Sequence, residues 1–170
     1  LGFFDRCGQH KKITIFKPKL FIGNPQYVVG AKVAAVSRRA KILLIKLSNK
    51  KTLMVHFKLS GQIVWLANAA KRVTLGHPIP FAGTKLPATT THIIISLDVG
   101  KLFYNDVRQF GWIKVVDEKE VVEKLSKFGP EPLSVNFSLS YLKEIFSRSR
   151  RPIKIFLMDQ HKIAGLGNIY

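Results

Sequence analysis

Acidic residues are scarce in this chain. Ten Asp and Glu stand against 28 Lys and Arg, a formal net charge of +18 at pH 7. That excess excludes a polycationic partner and calls for a polyanion, nucleic acid before an anionic membrane surface. Cysteine is nearly absent as well: Cys7 is the only one, which excludes an internal disulfide and any multi-cysteine zinc site within these residues and suits a reducing compartment. Long hydrophobic runs are missing. No apolar stretch approaches the roughly 20 residues of a membrane span, no basic amphipathic helix stands out as a surface anchor, and no secretory signal is read at the start. No carboxylate pair, Ser-His-Asp set or metal-ligand cluster emerges, and His10, His56, His77, His92 and His161 are scattered. Hydrophobic residues nonetheless make up 46% of the chain, so it is no disordered basic tail. A chain of 170 residues can bury a full core as one domain, or one domain with an attached piece.

The first two thirds read as short strands. Lys12–Lys17, Lys32–Ser37, Ile42–Ile45, Thr52–Phe57, Gln62–Leu66, His92–Leu97, Lys101–Tyr104 and Trp112–Val116 alternate or run apolar, separated by turn residues such as Gly23-Asn24-Pro25, Ser48-Asn49-Lys50 and Asp98-Val99-Gly100. Regular short strands are the pattern of a β-sandwich or barrel. Ile42-Leu43-Leu44-Ile45 suits a strand buried on both faces. Residues 67–91 lack periodicity and read mostly as loop, and Leu1–Cys7 as the tail of an amphipathic helix.

The period changes after Asp117. Val121, Val122, Leu125 and Phe128 recur at helical spacing, with Gly129 placed to end the helix. Pro130-Glu131-Pro132 is a rigid link. Ser138 can cap a second helix with Leu139, Leu142, Ile145 and Phe146 on one face. Pro152 suits the first turn of a third, with Ile153, Phe156 and Leu157 inward. Gly165-Leu166-Gly167-Asn168 should open a fourth.

Five stretches could carry chemistry. In Tyr104–Trp112, Asn105 and Asp106 favour a turn and Gly111 permits one. At its tip Arg108 can hydrogen-bond a base edge or phosphate, and Phe110 can stack on or wedge between bases. The alternative is a hairpin with a solvated Arg and a Phe tucked into the core. Arg38-Arg39-Ala40-Lys41 could aim cations at a phosphate or reacting sugar, or could be a basic edge that discourages aggregation. Leu59, in His56–Gly61, is an exposed wedge or a core residue at a strand end. Arg148–Lys154 could cradle phosphate at a helix start, or be a solvated linker. The Gly165–Asn168 turn could bind phosphate through its amides and Asn168, but it lacks the lysine of a nucleotide loop.

Taken together, these pieces resemble the formamidopyrimidine-DNA glycosylases. The matching stretches are Ser37–Lys41, His56–Gly61 (family pattern H-L-G-M-S-G), His92 with its strand, Tyr104–Gly111 (family Y-x-D-P-R-R-F-G), Phe128–Ser134, Ile153–Gln160 and Ala164–Tyr170. The sister endonuclease VIII group fits the Phe110 loop and the Gly129–Leu133 link less well. The resemblance implies an α+β fold: an antiparallel β-sandwich over residues 1–117, a helical linker over 118–134, and a partial helix–two-turn–helix module over 135–170. It also implies DNA bound between sandwich and helices.

By the same resemblance the chain is a bacterial, cytoplasmic and nucleoid-associated monomer that binds duplex DNA containing oxidised purines and flips the damaged base out. Leu59, Arg108 and Phe110 would fill the vacated space, Arg108 pairing with the orphaned cytosine. Lys41 matches the general acid/base lysine of strand cleavage. Lys154 and Asn168 match positions that grip phosphates, His92 matches a DNA contact, and Arg150 and Arg151 add backbone binding. The family's nucleophile, the amine of an N-terminal proline followed by glutamate, has no counterpart here, nor has the four-cysteine zinc finger. The expectation is therefore a piece or degenerate copy that binds DNA without cleaving it, with no cofactor of its own and the family zinc held elsewhere. Gln109 stands for a usual arginine, Lys58-Leu59 for Gly-Met, and Val107 for proline. A non-catalytic nucleic-acid-binding module and a basic RNA-associated protein are the alternatives.

Overall fold

The computed structural model describes residues 10–67, 72–77 and 85–168. Cys7, the helix tail expected over Leu1–Cys7, and the start of a fourth helix past Asn168 lie outside them. The chain divides into two compact units. One comprises residues 1–37 and 42–118, the other residues 38–41 and 119–170. The short turn 38–41 groups with residues 119–170.

The first unit is built of two five-stranded sheets. One has the order β1 (His10–Ile15), β8 (Thr91–Leu97), β9 (Gly100–Asp106), β6 (Gly61–Ala67), β7 (Arg72–Gly76); the other β2 (Phe21–Ile22), β10 (Trp112–Val116), β5 (Thr52–His56), β4 (Ile42–Leu47), β3 (Val33–Arg39). The α+β class holds. The β2–β10 pair is parallel, so the second sheet is mixed rather than wholly antiparallel. The core follows from alternation. Ile45 and Leu47 of β4, Leu53 and Val55 of β5, Ile63 and Trp65 of β6 and Ile93, Ile95 and Leu97 of β8 share one buried cluster. Each such side chain contributes about 1.5–3 kcal/mol by leaving water. Ile42 and Leu44 are buried too, as the unbroken apolar run requires of a strand covered on both faces.

Two sequence expectations fail here, and one short strand is added. Arg72–Gly76 is a strand within the stretch read as loop; pairing with β6 supplies the order that its mixed composition concealed. The two-residue β2 is too short to show a period. Asn105 and Asp106 are not turn residues but the buried end of β9.

The second unit holds α1 (Glu118–Ser126), α2 (Leu139–Ser147) and α3 (Ile153–Met158). Ser138 caps α2 as expected, its hydroxyl accepting from the Tyr141 N–H at 3.1 Å. Ile145, Phe156 and Ile163 form the core, with Phe146 and Phe156 ring centroids 4.7 Å apart. Leu139, Ile153 and Val122 lie exposed instead of inward, because helices of nine and six residues present only a narrow covered stripe. Gly129 does not cap α1. It lies past the helix end, donates to the Gln160 carbonyl at 3.0 Å, and a Cβ there would collide with the Lys162 carbonyl. No helix among the described residues is long and apolar enough to cross a membrane.

Candidate nucleic-acid interface

Two loops at one end of the sandwich unit are tied into a single platform. β9 ends in Asp106, whose side chain is fully buried. One carboxylate oxygen accepts from the Ser60 hydroxyl in a very short bond, and the other accepts from the Gly111 N–H at 2.8 Å. The Ser60 oxygen in turn accepts from the Arg108 N–H at 3.0 Å. Asp106 therefore closes the 107–111 loop across its base, and Ser60 fastens that loop to the one carrying Leu59. The β8–β9 register slips between Thr91 and Ile93. The resulting bulge at His92 re-aims the ring, and its Nε2–H donates to the Asp106 carbonyl at 2.8 Å. His92, expected as a DNA contact, is thus only 4% exposed and lies beneath the loop.

The side chains presented by this platform are those the sequence singled out. Phe110 is 57% exposed and Leu59 58%, so neither is tucked into the core. The Arg108 guanidinium stands over the Phe110 ring, 5.3 Å from its centroid, a cation–π contact that pre-orders both groups. Lys58, where the family pattern has glycine, has a φ of 51°, a left-handed conformation that suits glycine. It is held from both sides: its N–H donates to His56 Nδ1 at 3.0 Å, and its carbonyl accepts from His77 Nε2–H at 2.8 Å. Gln109 is left-handed too, with φ of 55°.

In the helical unit the basic turn is not a free cluster. Glu131, which sequence reasoning passed over, takes Arg38 through two bonds of 3.0 and 2.7 Å, Arg39 Nη1 at 3.2 Å and the Ala40 N–H at 2.7 Å. Arg39 also donates to the Gly129 carbonyl at 2.7 Å. Arg38's hydrogen bonds foremost hold the Glu131 carboxyl at about 2, against a smaller opposing effect of burial. Both arginines are thus engaged by Glu131, with the Arg38 side chain still 56% exposed. Lys41, at the tip of the turn, is exposed. The signal was available: a lone acid between two prolines, in a chain of 28 Lys and Arg.

Arg150, Arg151, Lys154 and Asn168 are all exposed. Arg151 forms a loose ion pair with Asp159 at 3.4 Å, weak enough to exchange for a phosphate. α3 has six residues, and Lys154 lies exposed in its first turn. The Gly165–Asn168 turn is shaped by Gln160, whose Oε1 accepts from Gly165 N–H at 2.8 Å and whose Nε2 donates to the Leu166 carbonyl at 2.9 Å. Among the described residues no three His, Cys, Asp or Glu side chains gather to hold a metal ion.

Residues 9–113 match the formamidopyrimidine-DNA glycosylase N-terminal domain, and residues 128–170 the formamidopyrimidine-DNA glycosylase H2TH domain. The formamidopyrimidine-DNA glycosylase of Chloroflexus aurantiacus is 34% identical over 158 residues, 90% of this chain and 51% of that one. That of Herpetosiphon aurantiacus is 35% identical over 164 residues, 96% and 54%. Among solved structures, Lactococcus lactis formamidopyrimidine-DNA glycosylase bound non-covalently to DNA with an AP site superposes with a TM-score of 0.79 at 27% identity, covering 98% of this chain and 61% of that one. The same enzyme with FAPY-dG-containing DNA gives 0.79 at 26% identity, covering 98% and 60%. This chain spans about half the length of the curated relatives it matches.

Proposed function

Because the chain belongs to the formamidopyrimidine-DNA glycosylase family, we propose that it recognises duplex DNA containing oxidised purines, 8-oxoguanine and formamidopyrimidines, in base-excision repair. The whole protein acts as a DNA glycosylase and AP lyase. The observation that carries this reading is the exposed Arg108–Phe110 pair, braced from below by Asp106 and tied through Ser60 to Leu59.

The chemistry follows from where the reacting carbon lies. A sugar carbon inside a stacked duplex is out of reach, so the damaged nucleotide must be turned out and the gap held open. Phe110 and Leu59 wedge into the stack with apolar surface that is already desolvation-ready. Arg108 offers two parallel N–H donors to the O2 and N3 acceptors of the unpaired cytosine. Its stacking on Phe110 removes side-chain freedom before binding, which lowers the entropic cost of the contact. His92 supports the loop. Lys154 and Asn168 grip phosphates beside the flipped nucleotide, Arg150 and Arg151 add backbone charge, and Lys41 serves as the general acid/base of strand cleavage. The protein works as a monomer in the bacterial cytoplasm, at the nucleoid.

The family's covalent step uses the amine of an N-terminal proline, and borohydride trapping asks whether an amine of this polypeptide can take that part. The four-cysteine zinc finger cannot be met by Cys7 alone, and no step is assigned to the metal.

Equilibrium binding to duplexes carrying a tetrahydrofuran abasic analogue, 8-oxoguanine or no lesion tests the reading, with borohydride trapping alongside. Preference for the lesion duplexes and loss of about 1–3 kcal/mol in Arg108→Ala with the cytosine preference erased are expected. Equal affinity for undamaged duplex or structured RNA would reduce the protein to a general polyanion binder.

A further inference from the structure

We propose that Glu131 is a positioning residue for Lys41, holding the β3–β4 turn in the shape that presents the Lys41 amine to DNA. The inference rests on the reading of Lys41 as a DNA-contacting residue and adds a cause for its placement. Ala40 and Lys41 are the two turn residues between β3 and β4. Ala40 has a φ of 52°, where a Cβ is strained and glycine is the usual choice. Something outside the turn must therefore stabilise this conformation. Glu131 is bonded to the three residues immediately before Lys41: the Arg38 and Arg39 guanidinium groups, and the Ala40 N–H at 2.7 Å.

Glu131 is itself immobile. It sits between Pro130 and Pro132, which fix the backbone on both sides. Its carbonyl accepts from the Ser134 N–H at 2.9 Å and the Ser134 hydroxyl at 2.8 Å, and the Pro130 carbonyl accepts from Ala164 N–H at 3.0 Å. The carboxylate is a rigid post to which the turn is pinned. Its charge argues in the same direction. In a DNA-binding chain of net +18, an acid that occupies two arginines next to a DNA-contacting lysine lowers the attraction for phosphate. Such a group is useful there through geometry, not through its field.

That opposition of sign makes the test. Charge alone predicts that Glu131→Gln tightens DNA binding, because a negative charge is removed. Positioning predicts that it weakens binding, as loss of Lys41 does. The measurement is the affinity of the 170-residue chain for a tetrahydrofuran duplex across a salt series, with folding of each variant checked by thermal melting. Lys41→Ala should lower affinity about tenfold and flatten the log–log salt slope by about one. Glu131→Gln should reproduce most of both changes, and the double variant should be no weaker than Lys41→Ala alone. Glu131→Asp, which keeps the charge but withdraws it by one methylene, should fall between, and carries the test if the glutamine variant does not fold. Parent-like or tighter binding by both Glu131 variants, with Lys41→Ala weakened, overturns the positioning role and spares the reading of Lys41. An unchanged Lys41→Ala overturns that reading, and the positioning role falls with it.

Discussion

At the scale of single residues, two buried or half-buried carboxylates do the organising. Asp106 receives a backbone N–H and a hydroxyl on its two oxygens; Glu131 receives two guanidinium groups and an N–H. Glu131 is held at about 2, from an ordinary value of 4.5. A depressed carboxylate contributes stability that is complete above its unfolded value and lost as pH falls through the folded one. Acid titration of the parent should therefore show a loss on the order of 2 kcal/mol between about pH 4.5 and 2 that Glu131→Gln lacks, measured by urea unfolding at each pH. Gly111 is a second sensitive point. A Cβ there would strike the Tyr104 hydroxyl, lie 2.8 Å from the His56 carbonyl and 3.0 Å from Asp106 Oδ2. Gly111→Ala is expected to cost about 2 kcal/mol of stability in urea and to weaken lesion binding with it, since the same collision opens the base of the Arg108 loop. Arg108 and Phe110 could be singled out in the sequence because a cation near an aromatic in a turn is a local pattern, whereas Leu59 reads as a wedge only through the family resemblance. Asp106 was misread as a turn former because its partner Ser60 is far away along the chain.

At the scale of elements, strands were more legible than loops. Alternation places Ile63 and Trp65, or Ile93 and Ile95, on a common face whatever follows. β7 has no such contrast and is ordered by pairing with β6. The helices were found by their period, but Leu139 and Ile153 show that a period says which face is apolar, not how much of it is covered. The 165–168 turn takes hydrogen bonds from a residue outside it. Gln160 supplies them, so Gln160→Ala should raise amide exchange at Gly165 by about tenfold or more while leaving the sandwich amides unchanged. Uniform protection across both sites would show that the turn is held some other way.

At the scale of the whole molecule, the net charge of +18 suits a polyanionic partner. If Lys41, Arg150, Arg151 and Lys154 each neutralise a phosphate, the logarithm of the affinity for duplex DNA should fall with the logarithm of salt at a slope of about −3.6. A slope near −1 would leave most of those cations outside the interface. The excess of positive charge and the strands followed by helices are legible in the chain itself, because composition and short-range periodicity are properties of neighbouring residues, whereas the Arg108–Phe110 pair is legible as an exposed finger only through the family resemblance. Folding is what sets His92 beneath the finger, locks Ser60 to Asp106 across 46 positions, and lets Glu131 reach Ala40 across 91. Hydrogen bonds between residues so far apart leave no period in the chain, and become visible only when folding brings their ends together.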